Sequence, residues 1–141
     1  MEEKLVSIIT PCYNGEKYLD QYFSSLIYQN YSNCQIIFID DGSTDNTKNI
    51  VFKYKSKIEE KGMKLEYYYQ ENEGQAAAIK RGIQLIQGEY FIWPDVDDIL
   101  TPDSISKRVS FLEKNREYGL VRSDCKVIFE NKLDEIIEFS A

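Results

Sequence analysis

The densest chemical signal in the chain is "DVDD", residues 95–98, where Asp95, Asp97 and Asp98 follow the apolar segment "FIWP". The segment Phe91 to Pro94 reads as protein interior. Negative charge gathered at the end of a buried segment costs free energy unless a cation is held there. Asp95 and Asp97 are spaced i, i+2, so at a strand end both carboxylates turn toward one point. Oxygen donors of that kind suit Mg²⁺ or Mn²⁺. Mg²⁺ usually takes one or two protein carboxylates and fills its other positions with water and substrate phosphate. A solvated turn would use the same residue types, and a lone DxD triplet occurs by chance. Asp98 is read as a cap for the helix that follows.

Three other polar segments also follow apolar runs. In "IDDGSTDNT", Asp40 and Asp41 are adjacent. One can point into a crevice and accept a hydrogen bond from a base N–H, while the other braces the loop. Ser43, Thr44 and Asp45 can each cap the next helix. In "TPCYNGE", Pro11 fixes the exit of its strand. Tyr13 can offer a flat face to a base or can be an ordinary packed tyrosine. In "ENEGQAAAIKRG", Gly74 opens a helix whose first N–H groups could face an anion. Of Lys80 and Arg81, at least one reads as part of a solvated face.

These segments need a scaffold, and the composition permits one. The 141 residues fit a single domain, and 43% of them are apolar, enough for a core. The net charge of −7 disfavours non-specific nucleic-acid binding, which depends on Lys and Arg neutralising phosphates. Histidine is absent, which removes His-based zinc sites and Ser-His-Asp triads. The three cysteines, without CxxC spacing, read as free thiols. No stretch reaches the roughly 20 apolar residues of a membrane span. The acidic N-terminus lacks a signal-peptide layout, so the chain is read as cytoplasmic.

Strands and helices alternate. "LVSIIT" and "CQIIFID" are short β-branched runs typical of strands buried on both faces. "LEYYYQ" and Tyr90–Pro94 are read as the third and fourth strands. Apolar residues at helical spacing fill Lys17–Gln29 and about Thr47–Glu60. Helices also follow Gly74 and Pro102, the last capped by Asp103 or Ser104. Leu120–Phe129 turns β again. The pattern predicts an α/β domain with a mainly parallel sheet and helices on both faces. Ligands in such sheets sit at the carboxyl ends of the strands, where strand order reverses. The four polar segments converge there.

Taken together, these segments resemble the nucleotide-binding half of the family-2 glycosyltransferases, which have the Rossmann-like GT-A fold. The likeness runs from Val6 to about Phe129. It rests on "VSIITPCYNGEKYLDQYFSSLIYQNYSNCQIIFIDDGSTDNT", "ENEGQAAAIKRGI" and "GEYFIWPDVDDILTPDSI" in that order. The resemblance implies transfer of a sugar from a nucleotide diphosphate sugar, commonly UDP-linked, with inversion. It implies that Pro11 and Tyr13 line the base pocket and that Asp41 accepts a hydrogen bond from the base. It places Asn72 and Gly74 beside the nucleotide and Asp95 near the ribose and sugar. Asp97, with Asp95, would bind the Mn²⁺ or Mg²⁺ that bridges the diphosphate.

The likeness has two departures. Many family members carry an Arg-Asn pair in the helix after the glycine, where this chain has Ile79 and Lys80. The family's acceptor-binding half, with its general base, lies beyond Ala141. Asp124 reads as a strand-end carboxylate and no general base is assigned. Residues 1–141 are thus read as the donor-binding part of a domain truncated at its C-terminus, and "LDEIIEFSA" as the start of a further part with an apolar edge that the parent covers. The acceptor, a carbohydrate or lipid-linked molecule, and any membrane association would belong to that parent. The rival readings are a nucleotide-binding module without transfer activity, a receiver domain and a dinucleotide binder. The receiver reading fails on its acidic pair following the second strand, and the dinucleotide reading on the missing GxGxxG.

Overall fold

Two apolar runs build the centre of the sheet. Strands β1 (Val6–Cys12) and β2 (Cys34–Asp41) are buried at every position and pair in parallel, from Val6 opposite Cys34 to Cys12 opposite Asp40. The computed structural model describes residues 2–123, 125–129 and 132–139, with side chains through residue 123. Strand β3 (Lys64–Gln70) pairs with β2, and β4 (Tyr90–Ile92) pairs with β1, both in parallel. The order is β3-β2-β1-β4.

Helices α1 (Glu16–Ile27), α2 (Thr47–Glu60), α3 (Gln75–Ile83) and α4 (Ser104–Lys114) alternate with these strands. Side chains alternate across a strand, so each central strand feeds two cores. Ile36 and Phe38 join Leu19, Tyr22 and Phe23 of α1, Val51 and Ile58 of α2, and Ile105 and Val109 of α4. Ile37 and Ile39 face the other way and pack with Ile9 and Ala78 of α3. Helices therefore cover both faces, as the alternating pattern predicts.

The segment "FIWP" departs from the expectation of an interior strand. Strand β4 ends at Ile92, and Phe91 and Trp93 are 45% and 51% exposed. The reason is position. β4 is the last strand of this sheet among the described residues, and only its Tyr90 and Ile92 pack on the larger core. Phe91 and Trp93 stack on each other instead, with ring centroids 5.7 Å apart.

The start of α4 also differs. Gln29, fully buried at the end of α1, accepts a hydrogen bond from Ile105 N–H and donates to Thr101 O at 2.7 Å. The carboxylate of Asp103 is taken up by Lys107 Nζ and Thr101 Oγ1.

The chain divides into two compact units, Met1–Val109 and Ser110–Ala141. In the second, Phe111 meets Tyr118, and β5 (Cys125–Phe129) pairs antiparallel with β6 (Lys132–Phe139). The sequence predicts a strand ending at Phe129, and β6 supplies its partner. Asp124 lies outside the described residues. No helix among the described residues is long and apolar enough to cross a membrane.

Candidate functional site

The chain steps outward from β1 to β2 and β3, then returns to the other side of β1 as β4. The strand order reverses between β1 and β4, and in such sheets ligands bind at that point, outside the carboxyl ends of the strands. A crevice of about 320 Å³ lies at that place. Pro11 and Tyr13 line it from β1, Asp41 from β2, Gln75 from α3, and Asp95 and Asp97 from the exit of β4. Five residues expected at a site are thus brought together. Tyr13 is 54% exposed, so its ring is free to take a ligand rather than packed.

Asn72 and Gly74 are not among the residues that line the crevice; Gly74 bonds to Asp41, and Asn72 lies against Gly42. The backbone N of Asn72 lies against Gly42, where a Cβ would come within 2.8 Å of it, and Gly42 has φ +82°. Gly74 has φ +96° and ψ 164°, a region essentially closed to residues with a side chain. That conformation aims its N–H at Asp41 Oδ2, 2.9 Å away. Asp41 Oδ1 accepts from Gln70 Nε2 at 2.8 Å and from Glu73 N–H at 2.9 Å. A carboxylate offers about four acceptor positions, so these bonds leave one on Oδ2.

Asp40 braces the loop. Its Oδ1 accepts from Ser43 N–H and its Oδ2 from the Tyr67 hydroxyl. Burial, followed by Asp40 itself, pushes the Tyr67 pKa up, so that hydroxyl stays a donor.

The loops after β1 and β2 cap each other's helices. Asn14, at φ +50°, accepts from Thr44 N–H, while its own N–H donates to Ser43 Oγ. Gly15 N–H donates to Thr47 Oγ1 and Glu16 N–H to Asp45 Oδ2. In return Glu16 Oε2 accepts from Asn46 N–H. Asp45 Oδ1 also accepts from the N–H and hydroxyl of Thr47. Burial alone would raise the Asp45 pKa. The bonds from Thr47 and Glu16 outweigh it and hold the carboxyl below its ordinary range. These bonds satisfy donors that a helix N-terminus otherwise leaves unpaired, and they stiffen the crevice wall that carries Tyr13. The sequence offers the types but not the pairing, which joins residues about thirty positions apart.

At the exit of β4, Asp98 does not cap α4. Its Oδ2 accepts from Asp95 N–H at 3.2 Å, and its own N–H donates to Asp95 O at 3.0 Å, so it closes the turn. Ligand oxygens of Asp95, Asp97 and Asp98 lie within 4.8 Å of one another, all exposed. Partial desolvation of the otherwise exposed Asp98 carboxyl, joined by the charges of Asp95 and Asp97 and opposed by the bond from Asp95 N–H, raises its pKa. An all-oxygen, all-anionic donor set fits a hard divalent cation. Gln75 is one of the lining residues that sequence reasoning missed, and its Nε2 donates to Asp95 Oδ1 at 2.7 Å. Arg81 serves β3, donating to Tyr69 O and lying over the Tyr68 ring, while Lys80 is exposed.

The family model described as glycosyl transferase family 2 matches residues 7–137. An uncharacterized glycosyltransferase of Rickettsia conorii is 42% identical over 112 residues, covering 78% of this chain and 17% of that protein. Staphylococcus aureus TarS 1-349 in complex with UDP-GlcNAc has a TM-score of 0.71 and 23% identity, over 92% of this chain and 41% of that one. The mannosyltransferase PcManGT of Pyrobaculum calidifontis, in complex with GDP-Man and Mn²⁺, has a TM-score of 0.69 and 22% identity, over 76% and 32%. At these identities the structural likeness establishes the fold, that of the GT-A glycosyltransferases. The chain spans less than half the length of the curated relatives it matches.

Proposed function

The chain belongs to glycosyl transferase family 2, and from that membership we propose that its crevice binds the donor, a nucleotide diphosphate sugar with a uracil base. The observation that carries the reading is the placement of Asp41 and the Asp95–Asp97 pair on either side of β1, lining one crevice. β1 lies between the strands that carry them, so a base at one end of a ligand and a diphosphate at the other can meet the two groups at once.

In this reading the base lies against the exposed ring of Tyr13, beside Pro11. The free position on Asp41 Oδ2 accepts its imide N–H. Gly74, with Glu73, acts from behind by holding Asp41, and Asn72 lies against the neighbouring Gly42. Asp97 and Asp95 would hold Mn²⁺ or Mg²⁺. When bound, the cation stabilises the charge gathering on the departing diphosphate without a proton. Asp95 also reaches toward the ribose and sugar. The acceptor oxygen attacks the anomeric carbon from the face opposite the diphosphate. The bond to the diphosphate breaks with its electron pair, and the configuration inverts. The fold likeness to proteins bound to UDP-GlcNAc and to GDP-Man with Mn²⁺ supports donor and cation alike.

Residues 1–141 form the donor-binding part in this account. Among the described residues, the carboxylates that line the crevice are Asp41, Asp95 and Asp97, and each already has a task. The base that takes the acceptor's proton is therefore not assigned to any of these three.

Calorimetry with UDP and GDP, in Mn²⁺ and in EDTA, tests the proposal. UDP binding that needs the cation and exceeds GDP binding is the expected result. Tighter GDP binding would overturn the uracil assignment, and equal UDP affinity in EDTA would overturn the metal site.

A further inference from the structure

We infer that Gln75 is a positioning residue for the cation end of the crevice, an inference that rests on the reading of Asp95 and Asp97 as cation ligands. Gln75 is the first residue of α3, twenty positions before Asp95, and its Nε2 donates to Asp95 Oδ1 at 2.7 Å. The main chain of Asp95 is fixed separately, by its two bonds with Asp98. Asp98 therefore sets where Asp95 stands, and Gln75 sets how its carboxylate is turned. Oδ1 is engaged, and Oδ2 is presented to a ligand in a chosen orientation.

The donor is a neutral amide. A lysine or arginine here would satisfy the same oxygen but also cancel the charge that attracts a cation. The amide orients Asp95 and leaves that charge intact, as groups that hold a metal-binding side chain from behind commonly do.

The position of Gln75 is itself set. Its neighbour Gly74, at φ +96°, gives its N–H to Asp41 Oδ2. Two consecutive residues at the start of α3 thus hold two of the crevice's three carboxylates, Asp41 through a backbone N–H and Asp95 through a side-chain amide. Both ends of the crevice are thus tied to the start of α3.

The test is Gln75→Met, which keeps length and volume and removes the donor. Mn²⁺ is titrated into the chain with UDP, and the concentration giving half-maximal UDP binding is read by calorimetry. Binding of uridine, which has no phosphate, is followed by chemical-shift titration, and stability by urea denaturation. The expected result is a Mn²⁺ requirement raised about tenfold, with uridine binding and the urea midpoint unchanged. A wild-type chain that needs Mn²⁺ and a Gln75→Met chain that needs the same amount would overturn this inference alone. UDP binding by the wild type that ignores EDTA would overturn it together with the metal reading. A loss of uridine binding equal to the loss of UDP binding would also overturn it, because the substitution would then act through the fold.

Discussion

The backbone N–H of Gly74 donates to Asp41 Oδ2 at 2.9 Å, and Gly74 does so from φ +96°. A Cβ at position 74 would meet nothing within 4 Å, so a side chain there is opposed by backbone strain and not by collision. Gly74→Ala should cost about 1–3 kcal/mol, the usual penalty of such a conformation. Urea denaturation measures it. If the loop relaxes to escape the strain, the bond to Asp41 goes with it, and UDP binding weakens in the same variant. A variant as stable as the wild type would show that the backbone here is not as described.

Asp41 and Asp97 should separate in their effects. Asp41 is 3% exposed and accepts three hydrogen bonds from the chain, so Asp41→Ala leaves buried donors unpaired. The variant should lose about 1–3 kcal/mol of stability and a comparable amount of UDP binding. Asp97 is exposed, and Asp97→Ala should stay within about 0.5 kcal/mol of wild-type stability while losing the Mn²⁺ dependence of UDP binding. Thermal melts beside UDP titrations of both variants check the contrast.

Asp45 gives a pH dependence whose sign is determined. Its folded pKa lies below the ordinary 3.8, so its stabilising contribution is present above that value and is lost as pH falls through the folded one. Asp45→Ala should lower stability by about 1–2 kcal/mol at pH 7, as the loss of a helix cap does. The gap from wild type should close on acidification below pH 3.8. Urea midpoints of the two proteins across pH 2.5–7 read it directly.

The 141-residue chain should bind donor and transfer sugar slowly or not at all. A carboxylate engaged with a cation is a poor base, because the cation draws on the same lone pairs. A base must also stand within about 2.6–3.2 Å of the acceptor hydroxyl. A release assay for UDP across a panel of acceptors should show release no faster with acceptor than without it. Acceptor-dependent turnover would mean that a base is present in these residues.

The architecture was readable because it is written in runs. Continuous apolar segments such as Ile36–Ile39 must be buried on both faces, and polar residues can only gather where such strands end. That is why Pro11, Tyr13, Asp41, Asp95 and Asp97 were found at one crevice. Readings failed where pattern and position part company. Phe91 and Trp93 look like core, but only alternate residues of the edge strand β4 pack inward. Gln75, Gln29 and the exchange among Asn14, Glu16 and Asp45 escaped because they are single long-range side-chain bonds. No periodicity announces a bond between residues 29 and 105. Asp98 was misplaced for a related reason: a carboxylate just before a helix reads as a cap, and only the geometry of the turn shows it bonded back to Asp95.

The most direct measurement is anomalous diffraction from crystals of the chain grown with UDP and Mn²⁺. One Mn²⁺ peak is predicted, within about 2.0–2.3 Å of an oxygen of Asp97, with Asp95 beside it and the diphosphate on its far side. The uracil should face Tyr13, with its imide N–H on Asp41 Oδ2. UDP seated in the crevice with no Mn²⁺ peak near Asp95 or Asp97, or Mn²⁺ bound at another place, would contradict the account.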